Sequence, residues 1–318
     1  MLSRTAENLY WTSRYIERAD SIARLLEVAY RINLIPNTSR TQSEWTSILE
    51  TSGIKDEYIL HYKDNFKKDK IENFLIFDEK NGSSIFECIR KARSNIKMVR
   101  TAVTLEVWNA VNSTFHDIEK FSEKKYSSRD LPGIIDFVKS RVNLIRGTIQ
   151  NTQLIDDTFD FLSIGTYVER ADFTARIIDV KYFILLPSSN YVGSQIDNFQ
   201  WTLMLRSVSA YRGFKQTYGN NGVNHMNIIE FLILDMTCPR SLMFSLDKIS
   251  SHLTNLKKIY KKNSKAEEEI SLIVKKFKKL SAKKILNIGL HEFLLEFIRK
   301  LYSVNSNLQN NYFFGKEK

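Results

Sequence analysis

Two stretches of this chain have nearly the same sequence: residues 15–30 read YIERADSIARLLEVAY, and residues 167–182 read YVERADFTARIIDVKY. Nine of the sixteen aligned positions are identical, and four more exchange similar residues. The stretches are 152 residues apart in a chain of 318, which is close to half its length. An internal repeat with this spacing indicates that one ancestral unit was duplicated.

Two shorter blocks recur in the same order. The Trp-Thr-x-x-Leu pattern at 45–49 returns at 201–205, and FLIFD at 74–78 returns as FLILD at 231–235. The offset drifts only from 152 to 157 across the three blocks. The repetition therefore extends through much of the chain, and the long E-R-A-D stretch is its most strongly retained part.

Composition and patterning favour helices. Four Pro and eleven Gly are few for 318 residues, and no segment alternates apolar and polar residues as a half-buried strand would. We predict an all-α helical bundle built from two duplicated halves, 1–150 and 151–318. The halves are expected to pack about a pseudo-two-fold axis as one compact domain.

The repeated stretches lie on the two longest predicted helices. The first helix should cover about 3–33, capped by its first residue, and the second about 157–186, ended by Pro187. A last helix is predicted at about 290–302, and the tail after residue 306 is expected to fray.

A helical projection of the repeat separates two faces at 100° per residue. Apolar positions form a packing seam, while Glu17, Asp20 and Arg24 form a polar stripe in which Asp20 and Arg24 have the favourable i, i+4 spacing. The corresponding polar residues of the second copy are Glu169, Asp172 and Arg176.

Arg18 lies on an otherwise apolar arc, and Arg170 has the same place in the second copy. A buried guanidinium is costly unless it meets a carboxylate or reaches water. One interpretation is a bidentate pair across the bundle, with Glu17, Glu169 or Glu106 as the partner. In the other, both Glu-Arg-x-Asp sets face a shared polar cleft that binds an anionic or peptide-like ligand.

These residues, with others downstream, resemble a known family. The twin E-R-A-D helices, the Val-Arg…Glu-x-Trp-Asn block at 99–109 and the Pro-Arg-Ser motif at 239–241 look like those of the alpha-E domain proteins, a bacterial all-helical family named for its Glu-Arg motif. The resemblance covers essentially the whole chain. Its motif residues here are Glu17, Arg18, Glu169, Arg170, Arg100, Glu106, Trp108, Arg240 and Ser241.

The resemblance implies partners and an asymmetry between the halves. Members of the family lie beside, or are fused to, circularly permuted ATP-grasp proteins and transglutaminase-like proteins, which implies a system that makes or breaks amide bonds in peptides. The first half has Gly82-Ser83-Ser84 where the second has Pro-Arg-Ser. A site built on that motif is therefore expected in the second half only, although Ser241 is most simply a helix N-cap.

Several kinds of chemistry lack a sequence signature. No GxGxxG or GxxxxGK[ST] loop and no GxSxG elbow is present, and the five His lack ligand spacing. Cys88 and Cys238 are expected to be small buried hydrophobes. We therefore expect no cofactor and no metal, and ATP would have to be bound by a partner.

Charge and hydropathy indicate what the protein binds and where it is located. The net charge is +11, and residues 241–290 hold twelve Lys against four acids. Without Arg or interleaved aromatics, this stretch is predicted to be a solvated helix face rather than a nucleic-acid groove. No leader-like or membrane-spanning apolar run occurs, and two Cys suit a reducing compartment. We expect a cytoplasmic protein.

Two functions from different classes fit these observations. The leading hypothesis is a non-catalytic helical scaffold or substrate-binding partner of an ATP-grasp/transglutaminase-like peptide-modifying system. The alternative is an enzyme in which Glu17 and Glu169 supply a general acid and base, while Arg18 and Arg170 orient an anionic group.

Overall fold

The structure is a computed structural model, and it describes residues 1–34, 41–123, 126–184, 195–219 and 222–313. Throughout these ranges the regular structure is helical and no strand occurs, so the predicted all-α class is confirmed. The α-helices are α1 (Ser3–Asn33), α2 (Thr41–Ser52), α3 (Lys55–Tyr62), α4 (Lys68–Ile76), α5 (Ile85–Met98), α6 (Leu105–Ser122), α7 (Leu131–Thr152), α8 (Asp157–Ile184), α9 (Gln195–Ser207), α10 (Tyr211–Tyr218), α11 (His225–Ile229), α12 (Leu242–Tyr260), α13 (Lys265–Phe277), α14 (Ala282–Ile288) and α15 (Leu290–Tyr312). A 3₁₀ turn covers Arg100–Ala102, and a π turn covers Glu230–Leu234.

The long helices α1 and α8 form the centre of the molecule. α1 packs mainly against α8 and α5, and α8 packs in turn against α12. The helices α5, α6 and α7 complete a four-helix group with α1, while α12, α13 and α15 do the same with α8. α2 crosses onto α8, and α9 crosses onto α1, so the two groups are interlocked along the central pair.

The two central helices run in the same direction. The amino group of Met1 lies 3.3 Å from the carboxylate of Asp157, at the start of both helices. Further along, Arg18 reaches Glu169 at 2.6 Å. Because the contacts advance together along both helices, residues about 152 positions apart lie at similar levels along the common helix direction.

α1 is buried on almost every side, including its polar stripe. Glu17 and Asp20 are 0% exposed, and Arg24 is 2% exposed. A helix that is enclosed by neighbours has no solvent-facing side on which to place its charges. The polar stripe therefore lies inside the protein and must be paired there.

The predicted start of α1 needs a correction. The helix covers the predicted residues, but Ser3 is its first helical residue rather than its cap, and the preceding Leu2 makes no side-chain capping bond. The predicted end of the second long helix at Pro187 lies outside the described residues.

The predicted fraying of the C-terminal tail is wrong for the described part. α15 continues to Tyr312, ten residues beyond the predicted end. Leu308 is 0% exposed and Phe313 is 6% exposed, because the last turns pack against the rest of the protein. Helical stability comes mostly from such packing and is not visible in local propensity.

No helix among the described residues is long and apolar enough to cross a membrane.

Gly165 allows the close contact of α1 with α8. A Cβ at this position would overlap the backbone carbonyl of Tyr10, whereas a Cβ at Gly147 in α7 would meet nothing within 4 Å. We expect Gly165→Ala to lower the free energy of unfolding by about 3 kcal/mol through overpacking. Gly147→Ala should leave it unchanged or raise it by about 1 kcal/mol. Urea denaturation measures both, and equal midpoints would contradict the close approach.

Candidate functional site

The two Glu-Arg motifs bind each other. Arg18 donates from Nε to Oε1 of Glu169 at 2.6 Å and from Nη2 to Oε2 at 3.1 Å. Arg170 makes the reciprocal pair with Glu17, at 2.9 Å and 3.2 Å. Each arginine is therefore bidentate to the glutamate of the other helix, as the pairing interpretation of Arg18 predicts, and its partner is Glu169 rather than Glu17 or Glu106.

Each glutamate also binds further arginines. Glu169 accepts from Nε of Arg14 at 2.7 Å, one helical turn before Arg18. Glu17 accepts from Arg146 of α7 and from Nη1 of Arg240 at 3.1 Å. Both carboxylates are therefore enclosed by guanidinium groups.

Asp20 joins the network on the same side as Glu17. It accepts from Nε of Arg24 at 2.9 Å, from Nη2 of Arg240 at 2.8 Å and from Nη2 of Arg146 at 3.1 Å. Arg240 thus bridges Glu17 and Asp20, which belong to the first half of the chain. The Pro-Arg-Ser motif therefore contributes its arginine to carboxylates of the first half and does not form a site confined to the second half.

Ser241 fixes the position of Arg240. Its Oγ accepts the backbone N–H of Phe244 at 2.9 Å and donates to the carbonyl of Asp235. It is the N-cap of α12, as predicted. Because the cap sets where the helix begins, it also sets where the preceding arginine enters the network.

Asp172 and Arg176 form the corresponding pair on α8. Arg176 donates from Nε to Oδ2 of Asp172 at 2.7 Å, and it also contacts the carbonyl of Thr51 at 3.4 Å and the hydroxyl of Tyr302 at 3.2 Å. This pair is less enclosed than Asp20–Arg24, since both side chains are about one-fifth exposed. It borders a cavity that Arg14 and Arg18 also line.

The arginines keep the buried carboxylates ionised. Burial raises the pKa of Glu17, but Arg146, Arg170 and Arg240 outweigh it and lower that pKa to about 2. In the same way Arg18 and Arg14 overcome burial and lower the pKa of Glu169 to about 2.

Burial disfavours the charged form of one arginine in the network. Six arginines face the three carboxylates of Glu17, Asp20 and Glu169. Burial lowers the pKa of Arg240 to about 10, against the opposing effect of Asp20 and Glu17. The network therefore holds more positive charge than its own carboxylates neutralise. Its arginines are Arg14, Arg18, Arg24, Arg146, Arg170 and Arg240.

A cavity of about 300 Å³ opens on one side of this network, between α1, α8, the end of α2 and α15. Its charged lining is Arg14, Arg18, Glu169, Asp172 and Arg176. Its apolar lining includes Trp11, Ile22, Leu25, Ile54 and Phe173. A smaller space of about 90 Å³ lies beside Arg146 and Arg170. Of the two, the first has room for part of an organic molecule.

Three motif residues lie outside the network. Arg100 and Glu106 are exposed, and the guanidinium of Arg100 lies 5.3 Å from the ring centre of the half-buried Trp108. They mark the corner between α5 and α6 rather than the central ion pairs. Within the described residues, no group of three or more His, Cys, Asp or Glu side chains is placed to hold a metal ion.

Sequence reasoning missed Arg14 and Arg146. Arg14 carries a signal, because a residue four positions before Arg18 shares its helix face. Arg146 carries none, since only the packing of α7 on α1 brings it to Glu17. Asn305 of α15, which accepts from Nη1 of Arg14 at 3.2 Å, is likewise a product of tertiary packing.

An all-helical architecture with paired Glu-Arg motifs at its centre defines the class of this protein. The Alpha-E family model, described as a predicted alpha-helical domain with a conserved ER motif, matches residues 1–313. The chain therefore belongs to the Alpha-E family. No curated protein and no solved structure matches it.

Removing one central carboxylate should destabilise the fold. Glu17→Gln leaves Arg146, Arg170 and Arg240 facing a neutral amide, so we expect the free energy of unfolding to fall by about 3–5 kcal/mol. The exposed Glu106→Gln serves as the matched control and should change it by less than about 0.5 kcal/mol. Chemical denaturation measures both variants, and equal stability would show that the pairs contribute nothing.

Stability should fall steeply in acid. The pKa values of Glu17 and Glu169 are lowered from 4.5 to about 2 on folding, so the unfolded chain takes up protons first as the pH falls. Their contribution is therefore complete above about pH 4.5 and is lost between that pH and about 2. Denaturation midpoints at pH 7, 4.5, 3 and 2 test this. The Glu17→Gln variant should lose less stability over the same interval, and a parallel loss would contradict the assignment.

Proposed function

We propose that this protein is a non-catalytic helical scaffold or substrate-binding partner in a peptide-modifying system with ATP-grasp-type and transglutaminase-like proteins. One observation carries the non-catalytic part: Glu17 and Glu169 are bidentately paired with arginines across α1 and α8. Carboxylates held in this way fix two helices in register. The partners are those that the family resemblance implies.

We further propose that residues 1–150 and 151–318 are homologous units related by a pseudo-two-fold axis. Support comes from the reciprocal Glu-Arg pairs and from the matching neighbours of α1 and α8. The helices that pack on them, α5 and α12, are both capped by a serine, Ser84 and Ser241.

The cavity supports a ligand-binding role. Arg14, Arg18 and Arg176 provide positive charge along its wall, and Glu169 and Asp172 provide negative charge. Charges of both signs beside apolar side chains suit a peptide-like or anionic molecule.

A second surface supports a scaffold role. The side chains of Met98, Leu105, Leu154 and Ile155 are between 59% and 78% exposed. They lie at one corner, because Thr104 and Thr152 are joined by a 2.8 Å hydrogen bond between their hydroxyls. An apolar surface of this kind, beside Arg100 and Trp108, is typical of a protein contact.

The alternative, an acid–base enzyme, finds less support. A general acid or base should titrate near the working pH, whereas the pKa of Glu17 and that of Glu169 are both about 2. Burial raises the pKa of Cys88 to about 12 and of Cys238 to about 11, so neither thiol is activated. Two free buried thiols suit the cytoplasm, where we place the protein.

Recovery of partners from native cells tests the scaffold role. We expect the tagged protein to co-purify with an ATP-grasp-type or a transglutaminase-like protein. Leu154→Asp should reduce recovery about tenfold or more, because it places a charge in the apolar corner. The matched control is Leu60→Asp on α3, which is 77% exposed and should leave recovery unchanged. Recovery of neither partner would count against the proposal.

A further inference from the structure

The two sides of the central network differ at one position. Arg240 immediately precedes Ser241, the cap of α12, and Ser83 immediately precedes Ser84, the cap of α5. These helices pack on α8 and α1 respectively. Ser83 and Arg240 therefore occupy corresponding places, each at the entrance of a helix beside a motif arginine.

The motif arginines contact both entrances. Nη1 of Arg18 lies 3.4 Å from Oγ of Ser83, and Nη1 of Arg170 lies 3.5 Å from the carbonyl of Pro239. On the Arg240 side, the guanidinium fills the space between two carboxylates. On the other side, the short serine leaves a cavity bordered by Glu169 and Asp172.

We propose that this cavity binds a guanidinium group of a ligand, seated beside Glu169 and Asp172 as Arg240 is seated between Glu17 and Asp20. The ligand is an arginine side chain of a peptide or a small guanidino compound. This inference rests on the proposed ligand-binding role of the cavity and adds the chemical group that the cavity selects.

Free hydrogen-bonding capacity favours a donor over an anion. Arg14 and Arg18 already direct their Nε groups to Glu169, and Arg176 directs Nε and Nη2 to Asp172. Asp172 accepts from Arg176 alone among the described residues, so lone pairs of a partly exposed carboxylate remain available. A planar, donor-rich cation matches these acceptors.

The filled side holds one more guanidinium around its two carboxylates than the cavity side does. On the filled side, Arg24, Arg146, Arg170 and Arg240 surround two carboxylates. The cavity side has three arginines around two carboxylates, so a bound guanidinium restores the same ratio. The apolar wall formed by Ile22, Leu25 and Phe173 provides contact for the ligand's aliphatic stem.

Calorimetric titration of the full chain tests the ligand class. Methylguanidinium, L-arginine and a Gly-Arg-Gly peptide should bind. L-Citrulline has nearly the same shape without the charge, and its affinity should be lower by about tenfold or more. Tighter binding of the peptide assigns the ligand to a peptide, and tighter binding of methylguanidinium assigns it to a small molecule. Binding of inorganic phosphate or acetate in preference to arginine would overturn the inference.

Two aspartate variants locate the binding. Asp172→Asn should weaken arginine binding about tenfold. Asp117→Asn is the matched control, because Asp117 of α6 also pairs with an arginine, Arg141 of α7, away from the cavity. It should leave arginine binding unchanged. Equal effects of the two variants would place the ligand elsewhere.

A substitution that places an arginine side chain in the cavity tests the guanidinium site without a ligand. Ser83→Arg should raise the thermal midpoint relative to Ser83→Met, which has similar length and no charge, and it should abolish arginine binding. A lower midpoint for Ser83→Arg than for Ser83→Met would overturn the inference. Partner recovery from cells is measured separately. Normal partner recovery without arginine binding would contradict the guanidinium site alone. Loss of partner recovery with intact arginine binding would contradict the scaffold role alone.

Discussion

Two guanidinium–carboxylate pairs exchanged between α1 and α8 lie at the centre of this structure. A charge in the protein interior is strongly unfavourable without a partner, and Glu17 and Glu169 each find a bidentate arginine on the opposite helix. The two long helices must therefore lie side by side in one register. The close contact at Gly165 and the parallel direction of the helices are consistent with the same requirement.

The network differs between its two sides. Arg146 and Arg240 close the side of Glu17 and Asp20. The side of Glu169 borders a cavity of about 300 Å³, and Ser83 stands there where the other side has Arg240.

Sequence reasoning reached the central motif but not its surroundings. The amphipathic projection identified Arg18 as a buried charge in need of a carboxylate, and Glu169 was among the partners it named. The family resemblance also groups Arg100 and Glu106 with the motif, although both are exposed at a different corner. Arg146 escaped notice because it is distant in sequence, and the length of α15 was underestimated because buried Leu308 stabilises its last turns.

The sequence by itself determined the helical class, the positions of the two long helices and the need for a buried partner at each motif arginine. These properties follow from local patterning and from the cost of desolvating a charge. Only the tertiary structure decided which carboxylate pairs with which arginine, which side is closed by Arg240 and where the cavity opens. Those outcomes depend on how α7, α12 and α15 pack against the central pair, and such long-range contacts leave no periodic signal along the chain.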